Sequence, residues 1–184
     1  MAAETLSQIV IRAQLSAFLQ NSVDGGNLLS GVAGGIAYLP PTPMTSGSGA
    51  FQAQKWWQST ARTLTSGASE TLNLYDFAGI DIGAGAGNDP DGIPLVVADV
   101  VGILVVVEAG SVGNLLIGGD GTSAAWTSLL NGSATAQIGP IHPGGMFMAA
   151  DPASGFPVVN TTNCNLKMTA IAGAVTYDIY LLMK

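Results

Sequence analysis

The sequence predicts an all-β protein, an antiparallel jelly-roll-like β-sandwich that carries an extended N-terminal arm. Two observations predict the sandwich. From Arg62 onward, short apolar runs are separated by Gly, Asn, Asp and Pro at intervals of about 8 to 12 residues, which is the spacing of short strands in a two-sheet fold. Downstream of Ala61 no convincing amphipathic helix interrupts them, so the crossover helices that a parallel α/β sheet needs are missing from the pattern. The arm is predicted by a compositional break: residues 39–50 read LPPTPMTSGSGA, where prolines and then Gly and Ser supply neither ladder donors nor packing side chains. The expected division is an arm and linker over residues 1–50 and a sandwich over 51–184.

Within the arm, residues 8–19 (QIVIRAQLSAFL) satisfy two periods. Ile9, Ile11, Ala13, Leu15 and Ala17 alternate as in a strand, while Ile11, Leu15, Phe18 and Leu19 recur at helical spacing, so the pattern leaves both open. The glycine-rich stretch that follows favours an extended arm ordered against another surface. The contact residues expected of it are Ile9, Ile11, Leu15, Phe18, Leu19, Leu28, Leu29, Ile36 and Tyr38.

Residues 49–60 (GAFQAQKWWQST) read as a short helix or turn. Strand patterns follow at 62–77, 93–109, 112–119, 133–138, 144–150, 156–160, 164–173 and 174–184. Alternation is clearest in Thr71–Phe77 and in Leu166, Met168 and Ala170 against Lys167 and Thr169, the mark of half-buried strands. The turn IAGAV at 171–175 is expected to close a hairpin of Asn165–Ile171 with Val175–Met183. The most apolar stretch, Ile93–Ala109, is interrupted by Pro94, Asp99, Gly102 and Glu108, too often for the roughly 20 residues of a membrane span. It reads as buried β-structure.

Only 9% of the 184 residues are charged, against about 25% in ordinary domains. Five cations against twelve carboxylates cannot line a phosphate backbone, so nucleic acid is excluded as an expected partner, and the Val, Ile and Leu content excludes disorder. The first fifteen residues lack the pattern of a secretory signal, so the chain is expected to be intracellular when made.

Chemistry-bearing residues are sparse. Cys164 and His142 give no zinc set and no supported nucleophile, Cys164 reading as a small buried apolar residue and His142 as a loop residue. Residues 76–91 offer Asp81, Asn88, Asp89 and Asp91, oxygen donors of the type calcium takes, but the spacing of a calcium loop is absent and the stretch reads as solvated, with structural calcium as the alternative. Trp56, Trp57 and Trp126 fit core or interface packing better than a sugar platform, and adjacent Trp56 and Trp57 must point in different directions. No cofactor and no enzymatic activity is expected.

The segments RTLTSGASETLNLYDFAG at 62–79, NLLIGGDGTSAAW at 114–126, IHPGGMFMAADPASGFPV at 141–158 and AVTYDIYLLMK at 174–184 resemble small structural proteins of tailed bacteriophages, the decoration, cement or capsid-stabilising proteins. The resemblance covers about two-thirds of the chain and rests on turn and strand signatures. It implies a jelly-roll virion protein, a homotrimer bound to the major capsid protein or other virion subunits, with no catalytic residues. The alternative expectation is a receptor- or glycan-binding module of a tail or fibre, with Trp126 or the 81–91 loop lining the site. The low charge, read with the strand pattern and the arm, leads to the expectation that the arm and at least one face of the sandwich are covered by other chains.

Overall fold

Alternating burial sets the core of this protein. Leu166, Met168 and Ala170 are buried while their neighbours are half-exposed, and Val175, Tyr177 and Ile179 are likewise buried between more exposed neighbours in the last strand. The computed structural model describes residues 13–17, 34–38, 44–77 and 96–184. The elements are β1 (Ala13–Ala17), β2 (Gly34–Tyr38), β3 (Thr45–Ser46), β4 (Gln52–Ala53), β5 (Lys55–Leu64), β6 (Ser69–Asn73) and β7 (Asp99–Val107), then β8 (Asn114–Gly118), β9 (Gln137–Ile141), β10 (Met146–Ala150), β11 (Phe156–Pro157), β12 (Asn165–Ile171) and β13 (Val175–Met183). Among the described residues there is no helix.

The body is an antiparallel sandwich. Its first sheet has the order β10-β7-β13-β5, and its second the order β6-β12-β8-β9. β11 continues the β10 edge along β7, pairing Phe156 with Val100 where β10 ends at Ala150 opposite Gly102. With β10 and β11 counted as one, eight strands numbered in chain order from β5 give sheets 1-8-3-6 and 2-7-4-5, which is jelly-roll topology. The chain crosses between sheets at most of its turns, so each crossing strand turns its apolar side inward. Val105, Ile179 and Leu181 of the first sheet face Leu72, Leu115 and Met168 of the second in one continuous core.

The topology corrects several expectations. β12 and β13 have the predicted bounds, but they do not form a hairpin: β12 pairs with β6 and β8, and β13 with β5 and β7. Ala172 (φ 58°) and Gly173 (φ 146°) turn the chain out of one sheet and into the other, and Gly113 packs so closely there that a Cβ on it would lie 2.2 Å from the Gly173 carbonyl oxygen. Residues 55–60, expected as helix or turn, open the ten-residue strand β5, because Trp57 drops into the core against Phe77 with ring centroids 5.0 Å apart. Residues 133–136 are turn, and β9 starts at Gln137. In the arm, β1 and β2 pair antiparallel with Leu15 opposite Ile36 and Ala13 opposite Tyr38, so the strand period holds over 13–17. Ile9, Ile11, Phe18, Leu19, Leu28, Leu29 and the 81–91 loop lie outside the described residues.

Two polar contacts fasten the sheets. Arg62 of β5 forms an ion pair with Glu70 of β6, its Nε donating to Oε1 at 3.2 Å, and the Tyr177 hydroxyl of β13 donates to the same oxygen at 2.5 Å. Burial alone would raise the Glu70 carboxyl, but hydrogen bonds from Arg62 and Tyr177 outweigh it and hold the group below its ordinary value. Burial, and then the hydrogen bond to Glu70, push the Tyr177 phenol far up, so it stays a neutral donor. Near this cluster β5 bulges: Tyr177 faces Arg62 and Ile179 faces Ser59, leaving Thr60 and Ala61 opposite Asp178 alone. Ala61 takes φ 52°, and its N–H donates to Asp178 Oδ1 at 2.8 Å. At the other end, Trp126 lies in the core with Nε1 donating to the Pro157 carbonyl at 2.9 Å, and Asn163 Nδ2 donates to the same oxygen at 2.8 Å.

Because the folded Glu70 carboxyl ionises more readily than the unfolded one, its contribution is complete above the unfolded value of about 4.3 and declines as pH falls through the lower folded value. Glu70→Gln is therefore expected to cost about 1–2 kcal/mol at pH 7 and measurably less at pH 3, read from urea denaturation at both pH values. An equal cost at both would show that the charge does not stabilise the fold.

Candidate functional site

A sandwich buries one side of each sheet, and a solvated outer side shows polar residues between the apolar ones. The second sheet follows this rule: Thr71, Lys167 and Asn114 occupy outward positions. The first sheet does not. Across its outside the pairings place Gln58, Tyr180, Leu104 and Met148 in one row, and Asp178, Val106 and Met146 in the next.

Trp56 stands beside this row at 54% exposure, its ring 6.1 Å from that of Tyr180, and Met146 is 67% exposed. Leu104, Val106, Met148 and Tyr180 are half-buried. The one carboxylate in the rows, Asp178, is already engaged, accepting from the Ala61 N–H and from the Tyr180 hydroxyl at 3.4 Å. The outcome is an apolar, aromatic- and methionine-rich surface whose only charge is turned to a backbone bulge. That composition is typical of protein–protein interfaces.

Part of the face is covered by the chain itself. Residues 44–54 run across one end, where Met44 and Ala53 pack on the outward residues Val101 and Leu182. Backbone bonds hold this strap at both sides: the Phe51 N–H donates to the Pro152 carbonyl at 2.7 Å, and the Gln54 N–H to the Met183 carbonyl at 2.9 Å. Lys184 Nζ adds a contact to the Gly49 carbonyl at 3.4 Å. The strap straddles the boundary expected at residue 50, with Met44 from the expected linker and Ala53 from the expected sandwich.

Of the three tryptophans expected at an interface, Trp56 alone is on the surface. Trp57 (6% exposed) and Trp126 (1%) belong to the core, a correction whose cause is alternation at 56–57 and the anchoring of Trp126 by Pro157. Leu15, Ile36 and Tyr38 fall on the β1–β2 hairpin. Sequence reading missed Leu104, Val106, Met146, Met148 and Tyr180. The available signal was the unbroken apolar run of β7 and β10: in a two-sheet fold such a run places apolar residues on the outside as well.

Other chemistry is sparse. His142 Nδ1 lies 2.9 Å from Asn114 Oδ1, and Cys164 is buried and free. Among the described residues no group of three His, Cys, Asp or Glu side chains could hold a metal, and no helix is long and apolar enough to cross a membrane. No protein-family model matches the chain, and no curated protein matches it.

The two adjacent tryptophans give a direct check of which side of β5 is which. Trp57→Ala is expected to cost about 3–5 kcal/mol, and Trp56→Ala less than about 1 kcal/mol, by chemical denaturation of the single chain at low concentration. Similar costs would contradict the outward placement of Trp56.

Proposed function

We propose that this protein is a non-enzymatic structural component of a tailed-phage particle, a decoration or cement protein that binds the head shell as a homotrimer and stabilises it. The uncovered apolar face of the β10-β7-β13-β5 sheet carries this reading, because a surface of this kind is matched to burial by another chain. The jelly roll supports it as an architecture common among viral capsid proteins, and so does the resemblance of residues 62–79, 114–126, 141–158 and 174–184 to phage decoration proteins. A chain with 9% charged residues incurs little desolvation cost when it is covered on several sides. Repeated on a symmetric shell, modest contacts add up to firm attachment, and the N-terminal arm extends them to the capsid or to sister subunits.

A second reading, a glycan-binding module of a tail or fibre, is favoured by one observation, the exposed pair of Trp56 and Tyr180. Trp126, inside the core, gives it no support.

Adding the purified protein to heads assembled without it separates the two. The cement reading expects saturable co-sedimentation, greater resistance of the heads to heat, and loss of occupancy when residues 1–40 are deleted. No binding to heads, together with glycan binding that Trp56→Ala abolishes, would establish the second reading instead.

A further inference from the structure

We propose that the strap of residues 44–54 is a latch that lifts as a unit while the sandwich stays folded, and that its lifting lengthens the apolar outer face of the first sheet. This goes beyond the reading above and does not depend on it.

The strap is organised from within. β3 and β4 pair in parallel, with Thr45 opposite Gln52 and Ser46 opposite Ala53. The Thr45 N–H donates to the Phe51 carbonyl at 3.1 Å, and the Gly47 N–H to the Ala53 carbonyl at 3.2 Å. Gln52 pins the loop from its middle: its Oε1 accepts from the Gly49 N–H at 2.7 Å, and its Nε2 reaches Thr45 Oγ1 at 3.5 Å. This side chain lies so close to the loop backbone that a Cβ on Gly47, itself at φ 144°, would stand 2.2 Å from Oε1. A short loop closed on its own side chain keeps its shape when it moves, as a compact Ω-loop does.

Its hold on the body is slight by comparison. Met44 and Ala53 pack on Val101 and Leu182 in a small cluster separate from the continuous core. Two backbone bonds, from Phe51 to Pro152 and from Gln54 to Met183, and the Lys184 contact to Gly49 add to it. Thr45, Ser48, Gly49, Ala50 and Gln54 are exposed, so water can replace these bonds. A segment with few buried apolar contacts and exposed backbone bonds opens at far lower cost than the whole domain. A unit ordered within and weakly held without has two states, seated and lifted.

The seat gives the lifting its consequence. Leu182 is buried under the strap and pairs directly with Trp56, which stands beside Tyr180. Lifting uncovers Val101 and Leu182 and joins them to the exposed patch of Trp56, Tyr180 and Leu104. The strap thus sets how much apolar surface the sheet shows.

Amide hydrogen exchange on the full chain at low concentration, followed residue by residue by NMR, tests the latch. After correction for intrinsic rates, the Phe51 and Gln54 N–H groups are expected to exchange about 100-fold faster than those of Val105 and Ile179, and Gln52→Ala to speed the first pair about tenfold more while leaving the second unchanged. Equal protection of the two pairs, or equal acceleration of both by Gln52→Ala, would overturn the latch. Uncovering has its own readout: Leu182→Cys, in a chain with Cys164→Ala, is expected to react with iodoacetamide about tenfold faster once Gln52→Ala is added. A fast-exchanging strap over a Leu182→Cys thiol whose rate Gln52→Ala leaves unchanged would overturn its control of the apolar face.

Discussion

Strand β7 carries apolar side chains on both of its faces, and a sandwich of two sheets can bury only one of them. Ile103, Val105 and Val107 take the inner side, against Leu115, Leu166 and Met168, and this fixes the position of the strand between β10 and β13. Val101, Leu104 and Val106 are then left pointing outward. The chain covers the first of these with Met44 and Ala53 of its own strap. The others remain at a surface shared with Met146, Met148, Trp56 and Tyr180. The demand that the second face be covered comes from the same alternation that makes the fold.

The few charges behave consistently with this. Arg62 and Glu70 are spent on each other across the two sheets and held by Tyr177, and Asp178 caps the β5 bulge through the Ala61 N–H. These carboxylates satisfy groups within the molecule, so they do little to hydrate the outside of the first sheet. Low charge is therefore distributed unequally: the second sheet shows Thr, Asn and Lys outward, and the first sets Leu104, Val106, Met146, Met148, Trp56 and Tyr180 beside Gln58 and an Asp178 that is already hydrogen-bonded.

Much of the fold was legible in the sequence because alternation is local. The bounds of β12 and β13 could be read from Leu166, Met168 and Ala170 and from Val175 through Met183, and the absence of helical periodicity after Ala61 excluded other classes. Strand membership was not legible, since whether β13 pairs with β12 or with β5 and β7 depends on contacts remote in sequence and on the positive φ of Ala172 and Gly173. β5 was hidden because adjacent Trp56 and Trp57 and a bulge at Thr60–Ala61 break the two-residue period. The candidate interface was hidden for a related reason: an unbroken apolar run such as VVGILVVV looks like a fully buried strand until the fold shows that one of its sides has no second layer. Tyr180 falls inside the Val175–Met183 strand pattern, and only its pairing with Leu104 and Gln58 reveals its neighbours.

Coverage of the outer face by other chains is the central claim, and Trp56 reports on it directly, since Trp57 and Trp126 are buried in the body. The most direct measurement is acrylamide quenching of tryptophan fluorescence in the assembled protein, compared with the same assembly carrying Trp56→Phe. Covered Trp56 predicts low quenching in both, with an accessible component that emerges only when the assembly is dissociated by dilution. Free quenching of Trp56 in the intact assembly would contradict the claim.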